Sequence, residues 1–392
     1  MKTDPNLLTS SNKDVTHSDA GVAADAAATR IFVAPQWKLM WWRFRKHKLA
    51  VASSFVIITL YIVAIFAEPL APYSPHKYNS KYTYAPPQSI HFFDERGRFV
   101  GPYVHALKQE IEPEALRRVF APDLERKIRL GLFVHGDHYR MWGIIDSDIH
   151  LLGPVNHQSG DDPVYLLGAD RLGRDVLSRI IYGTRISMSI GLVGVGVSLF
   201  LGTLLGGISG YFGGLIDEFV QRLIEFLRSI PTIPLWMGLA AAVPPNWPSV
   251  RIYFSITLIL SLIGWTGLAR VVRGRFLSLR EEDFIMAARL AGASELRVIF
   301  RHMVPSFYSH IIAAVTLAIP GMILSETALS FLGLGLQPPV VSWGVLLQDS
   351  QNVRAISSAP WLLFPALAVI TAVLALNFLG DGLRDAVDPY SR

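Results

Sequence analysis

The sequence predicts an all-α polytopic membrane protein of about six transmembrane helices, carrying a small α+β segment outside the bilayer. Three observations predict it. The 392 residues are 51% hydrophobic and only 17% charged, with a mean hydropathy of +0.36, too apolar for a soluble chain of this length. The apolar residues fall in runs near the ~20 residues that a helix needs to cross a bilayer. Lysine and arginine gather in alternate connections between those runs. There are no cysteines, which excludes disulfides, thiol catalysis and thiolate metal sites. The net charge of +5 is not by itself a nucleic-acid signal, because its distribution follows the membrane runs.

Residues 1–35 are polar and rich in Ala, Ser and Asp, and are expected to form a disordered cytoplasmic tail with no cleavable leader. Residues 36–69 are expected to form an interfacial helix and the first span. The helix is the basic, aromatic WWRFRKHK collar (41–48), which suits anchoring; the span is Leu49–Ala67. Residues 70–165 have room for an extracytoplasmic insert. There HFFDERGRFV reads as strand, turn at Glu95–Gly97, strand. IRLGLFVHGDHYRMWGII reads the same way with a turn near Gly136–Asp137, and EPEALRRVF reads as a short helix. Residues 166–392 are expected to form a core of five further spans: Ile186–Ile216, Ser229–Val250, Ile252–Ala269, His310–Leu332 and Ala355–Gly380. The third of the six spans is broken by prolines and follows the amphipathic IDEFVQRLIEFLRS.

Basic residues set the orientation. Lys38, Arg43, Arg45, Lys46 and Lys48 precede the first span; Arg270, Arg273, Arg275, Arg280, Arg289, Arg297 and Arg301 separate the fourth and fifth. Both termini are therefore expected to be cytoplasmic. Arg171, Arg174, Arg179 and Arg185 fall on the outer side, against the trend. They end a connection of more than a hundred residues, and long loops are largely exempt from the rule.

The most soluble-looking stretch lies between two oily runs: EEDFIMAARLAGASELRVIFRHMVP, 281–305. Phe284, Ala287, Ala288 and Ala291 share one helical face, and Leu296, Ile299, Phe300 and Met303 another. Gly292 sits between them, where a left-handed turn needs no Cβ. Ser294 is placed to cap the second helix, and Pro305 marks the approach to the fifth span. Such a pair either docks a partner on its small-residue face or lies on lipid. Periodicity alone does not separate the two.

Other positions carry competing readings. Glu326, within the fifth span, is either a translocation-pathway or proton-carrying group, or a buried structural acid hydrogen-bonded to a neighbouring helix. Gly202 and Gly206 suit close helix packing or reflect the general glycine enrichment of membrane helices. The insert holds seven of the eleven histidines; His135 and His138 in HGDH read more readily as surface residues of a hairpin than as metal ligands. No G-x-x-x-x-G-K-[ST] phosphate loop and no HExxH zinc motif occur, so the chain is not expected to catalyse a reaction or hold a cofactor by itself.

The stretch MAARLAGASELRVIFRHMVP resembles the cytoplasmic coupling ("EAA") loop of ABC-importer permeases, with Ala287, Ala288, Gly292 and Pro305 at the pattern positions. Met286 replaces the usual leading Glu and His302 the usual Ile; the RHMVP ending is the form typical of peptide-importer permeases. LGADRLGRDVLSRIIYGTRISMSIGL (167–192), LSFLGLGLQPPVVSWG (329–344) and NFLGDGLRDAVDP (377–389) resemble, in order, three further segments of the C-type subunit of oligopeptide and dipeptide importers. The resemblance covers about residues 36–70 and 165–392, and not the insert.

It implies a type I ABC-importer permease fold in a bacterial inner membrane. It further implies a second, homologous permease subunit, two ATPase subunits that bind ATP and Mg, and an extracytoplasmic solute-binding protein. The ATPase contact is expected at Glu282, Ala287, Ala288, Arg289 and Gly292. Peptides are the expected cargo, although related permeases serve sugars, opines and nickel. Two rivals remain at this point: a proton-coupled carrier using Glu326, and a membrane-tethered protein that displays the insert.

Overall fold

The computed structural model describes residues 36–112, 117–155, 162–244 and 246–387. The expected tail at 1–35 lies outside the described residues.

Helix α1 (Gln36–Lys46) is the basic aromatic collar, and it leads straight into α2 (Lys48–Ile65). The His47 Nδ1 accepts the Ala50 N–H at 3.1 Å and caps α2. Eighteen residues rise about 27 Å, enough to cross the hydrocarbon core. A single turn, α3 (Ala67–Leu70), follows at the C-terminal end of α2.

The insert is a four-stranded antiparallel sheet in the order β1-β2-β3-β4: β1 His91–Phe93, β2 Phe99–Glu112, β3 Arg117–Met141 and β4 Ile145–Pro154. The Asp94–Gly97 turn falls where the DERG run predicts it. Two expectations are corrected. Residues 117–120 are strand rather than helix, with 113–116 outside the described residues; the described helical turn of the insert is instead the 3-10 turn at Ser80–Tyr82. Gly136–Asp137 is not a turn. The β3 strand runs through it with a register shift between His135 and Tyr139, and the turn comes at Trp142–Gly143. The physical cause is tertiary: buried His150 packs against Gly136, where an added Cβ would lie 2.6 Å from its ring. His150 also contacts the Asp137 carbonyl at 2.9 Å and the Ala71 carbonyl at 2.5 Å, which pins β3 and β4 to the end of α3.

The core contains α4 (Val176–Phe212), α5 (Gly214–Ser229), α6 (Thr232–Ala241), α7 (Ser249–Leu279), α8 (Asp283–Leu290), α9 (Glu295–Arg297), α10 (Val304–Ser306) and α11 (Tyr308–Phe331). After these come α12 (Trp343–Gln348), α13 (Val353–Ser358) and α14 (Phe364–Val387). Among the described residues five helices are long and apolar enough to span: α2, α4, α7, α11 and α14. The expected span at 229–250 is instead α6, whose ten residues rise only about 15 Å. Pro231 and Pro234 bracket its start, and Pro244 and Pro248 follow its end, so the apolar run cannot extend as one helix.

The α4 helix packs along α7 through a glycine stripe. An added Cβ at Gly202 would lie 2.9 Å from Leu268 Cβ, and at Gly206 2.4 Å from the Ala269 carbonyl oxygen. The α14 helix lies against α11 and α2. Met188, Ile190, Ile256, Leu260, Ile323 and Trp343 form the buried centre of the bundle. Its outward flanks stay apolar, as a lipid solvent demands: Phe55, Ile58 and Ile62 on α2, and Leu367, Ile370 and Leu374 on α14.

Candidate functional site

Helix α8 begins after Glu282, which holds the N-cap position without a side-chain capping bond. It ends in a Schellman turn. Gly292 adopts φ +78°, its N–H donates to the Arg289 carbonyl at 2.9 Å, and the Ala293 N–H donates to the Ala288 carbonyl at 3.1 Å. Ser294 occupies the N-cap position of α9 but makes no capping bond with its side chain.

The chain then leaves α-helical register. Val298–Met303 is a π-helix, continued by a Val304 N–H that donates to the Ile299 carbonyl. Pro305 has no N–H to offer the Arg301 carbonyl, which removes one α-type bond at this point. The wider turn stacks Val298 under Met303 and Ile299 under Val304, all buried. The expected face of Leu296, Ile299, Phe300 and Met303 is thereby split: Ile299 and Met303 point in, Leu296 and Phe300 point out.

This unit is rooted in the bundle. Ile285, Val298, Met303 and Phe307 pack with Phe276 of α7 and Tyr211 of α4, and Phe276 meets Phe307 edge-on at 5.7 Å. The Arg289 guanidinium stacks on Tyr211 at 4.9 Å. Outside lies an exposed apolar surface: Phe284, Met286, Leu290 (90% exposed), Leu296 and Phe300. Glu282, Ala287 and Gly292 are exposed beside it and Ala288 is half-buried. The small-residue spacing located this face but missed Leu290 as its most prominent apolar side chain. Just beyond, Arg273 of α7 clamps Asp217 of α5 with two bonds of 2.5 and 2.6 Å. Those bonds hold the Asp217 carboxyl below the usual carboxylate range.

Glu326 is fully buried. Ser342 and Ser330 donate to its Oε1 at 2.7 and 2.8 Å, and Ser187 of α4 lies 3.5 Å from its Oε2. The same hydroxyls accept backbone N–H groups: Ser187 from Trp343, Ser342 from Val345 and Ser330 from Leu336. One carboxyl thus ties α4 and α11 to the irregular LSFLGLGLQPPVVSWG segment, which needs such partners at membrane depth.

At the insert end of the bundle, each arginine that broke the charge pattern meets an acid. Arg174 donates to Asp170 at 2.7 Å and buried Arg179 binds the same Oδ2; Arg171 pairs with Asp349 at 3.0 Å. Arg185 forks onto Glu68, and donates to the Ala64 carbonyl at 2.8 Å. Burial alone would push the Glu68 carboxyl up, but the Arg185 bonds and charge outweigh it and hold it below the usual range. Asp175 caps α4 by accepting from the Ser178 N–H at 2.8 Å, and burial pushes its carboxyl up to about 6.

Between the insert and the spans lies a cavity of about 710 Å³ lined by His76, His138, Tyr182, Arg185, Tyr253 and Val340, among others. Glu326 lies outside its lining. His135 bonds Asp148 at 2.9 Å on the insert surface, while His138 faces the cavity. Among the described residues no group of three His, Cys, Asp or Glu is arranged to hold a metal.

Comparison with known proteins agrees with this architecture. A family described as "Binding-protein-dependent transport system inner membrane component" matches residues 202–392. "N-terminal TM domain of oligopeptide transport permease C" matches residues 35–87. Most of the insert falls between the two matches. The dipeptide transport system permease protein DppC of Alkalihalophilus pseudofirmus is 40% identical over 237 residues, covering 60% of this chain and 75% of that protein. The oligopeptide transport system permease protein OppC of Haemophilus influenzae is 39% identical over 248 residues, covering 63% and 76%. The glutathione transport system permease protein GsiD of Pectobacterium atrosepticum is 39% identical over 231 residues, covering 59% and 74%. With these relatives, and with Glu326 enclosed by serines, the proton-carrier reading is not supported. The chain belongs to the C-type permease subunits of oligopeptide and dipeptide ABC importers.

Proposed function

We propose that this chain forms half of the membrane pathway of an ATP-driven importer for peptides or similar small solutes, paired with a second, homologous permease. An extracytoplasmic solute-binding protein delivers the cargo on the insert side. Two ATPase subunits bind ATP and Mg on the opposite side, where both termini lie. The domain division follows: 36–69 anchors and first span, 70–165 insert, 166–392 permease core.

The observation that carries this reading is the two-sided construction of residues 281–305. One side is rooted on Phe276 and Tyr211, near the ends of α7 and α4; the other presents Phe284, Leu290, Leu296 and Phe300 to the outside. An ATPase groove closing over the exposed side moves the unit as one body. Ala287, Ala288 and Gly292 allow close approach, Glu282 and Arg289 supply polar contacts, and Arg289 also stacks on Tyr211. Because α4 and α7 also line the outer cavity, displacement of their inner ends biases the outer ends between two arrangements.

The test is Leu290→Glu with Phe300→Glu, and separately Gly292→Asp, each in cells carrying the complete importer. Both variants insert normally into the membrane and lose uptake at least tenfold. Uptake at the wild-type rate with undiminished ATP dependence overturns the coupling role.

A further inference from the structure

The β3–β4 turn sits against the outer end of the first span. Its tip, Met141-Trp142-Gly143-Ile144-Ile145, carries no charge, and the ion pair between Arg140 and Asp146 (2.8 Å) bounds it on both sides. Trp142 Nε1 donates to the Ile65 carbonyl at 2.9 Å, and its ring packs on Phe66 with centroids 5.9 Å apart. Ile65 ends an eighteen-residue spanning helix, so its carbonyl marks the outer limit of the hydrocarbon core. Trp142 is nevertheless 51% exposed and Ile144 79% exposed. The exposed side chains Phe55, Ile58, Ile62 and Ile65 recur along one flank of α2, and Phe66, Trp142 and Ile144 continue that apolar surface beyond its end.

The backbone adds a second observation. Trp142 holds φ +53°, a left-handed conformation that a bulky aromatic residue rarely adopts and that Asn or Gly would take without strain. The strain is retained where it aims an indole at the level of the span end. An indole with its N–H satisfied and its ring exposed at that depth has the arrangement favoured at a lipid–water interface.

We propose that the Met141–Ile145 turn is a lipid anchor: it dips into the outer leaflet beside the first span and fastens the insert to the bilayer surface. The occupant is lipid rather than protein because the tip extends a flank that already faces hydrocarbon, is uncharged throughout, and has its charges withdrawn to the rim as a self-neutralising pair. The insert is thereby held by this tip as well as by the His150 contacts to the span connection and the Tyr73–Ser178 bond to α4, and it keeps its position over the cavity.

This chain has no cysteine of its own to compete with an introduced label. Ile144→Cys is spin-labelled in the complete importer in lipid nanodiscs, and collisions with oxygen and with a polar nickel chelate are compared. Ile62→Cys on α2 gives the lipid reference and Glu95→Cys in the charged β1–β2 turn gives the water reference. The expected label at 144 favours oxygen over the chelate several-fold more than the label at 95 does, approaching the label at 62. A label at 144 as open to the chelate as at 95 overturns the proposal. So does a label shielded from both reagents, which would place a partner subunit there instead.

Discussion

Arg185 and Glu68 meet as a fork: NH1 lies 2.7 Å from Oε1 and NH2 lies 2.6 Å from Oε2. The pair joins the second span to the end of the first, on the wall of the cavity between insert and spans. Glu68 is buried and Arg185 only partly so, which places the pair between an exposed and a fully buried bridge. Glu68→Gln is expected to cost about 1–3 kcal/mol, read from thermal unfolding of the purified chain. The folded carboxyl lies below its ordinary 4.5, so its contribution is present above that value and is lost as pH falls through the folded one. Glu68→Gln therefore removes part of the acid sensitivity below about pH 4.5.

Asp175 predicts the opposite slope. Burial raises its carboxyl from 3.8 to about 6, so between these values the folded chain keeps a proton that the unfolded chain releases. Its contribution is most favourable below about pH 4 and declines until about pH 6. Asp175→Asn flattens that decline, on the order of 2–3 kcal/mol, in unfolding measured from pH 4 to 7.

Glu326 distinguishes structure from transport chemistry. Glu326→Gln keeps an acceptor for Ser330 and Ser342 and is expected to leave uptake within about threefold, with an unchanged pH profile. Glu326→Leu strands those hydroxyls and destabilises the chain by about 2–4 kcal/mol, seen as reduced accumulation in the membrane. Abolished uptake in a well-folded Gln variant would count against the structural role.

Gly206 tests the helix seam. Gly206→Ala sets a Cβ 2.4 Å from the Ala269 carbonyl and is expected to cost about 1–3 kcal/mol. Gly196→Ala, with nothing within 4 Å, is the silent control in the same unfolding assay.

The spanning helices were legible because lipid imposes a length on each apolar run, and α2, α4, α7, α11 and α14 each meet it. The 229–250 run met the length in composition only. Its prolines decide the outcome by removing N–H donors, and hydropathy does not register that loss. The Gly136–Asp137 cue was a sound local turn signal, defeated by His150 from another strand. The exposed face of the 281–305 unit was legible through alanine and glycine spacing, but the π-helical turn was not: a change of register between Val298 and Met303 depends on burial against Phe276 and Tyr211. Least legible were the outer arginines. Arg185 and Arg171 find their acids in remote stretches of chain, at Glu68 and Asp349, and no local pattern joins them.

Those pairings also bear on how the chain is made. Glu68 is synthesised before Arg185, and Asp170 before Arg174 and Arg179, so the acid partner of each of these three cations is made first. Arg171 alone has a partner still unmade, because Asp349 follows α11, the fourth of the five spanning helices. Its pairing can therefore close only after α11 has been made, which sets this contact apart from the other three.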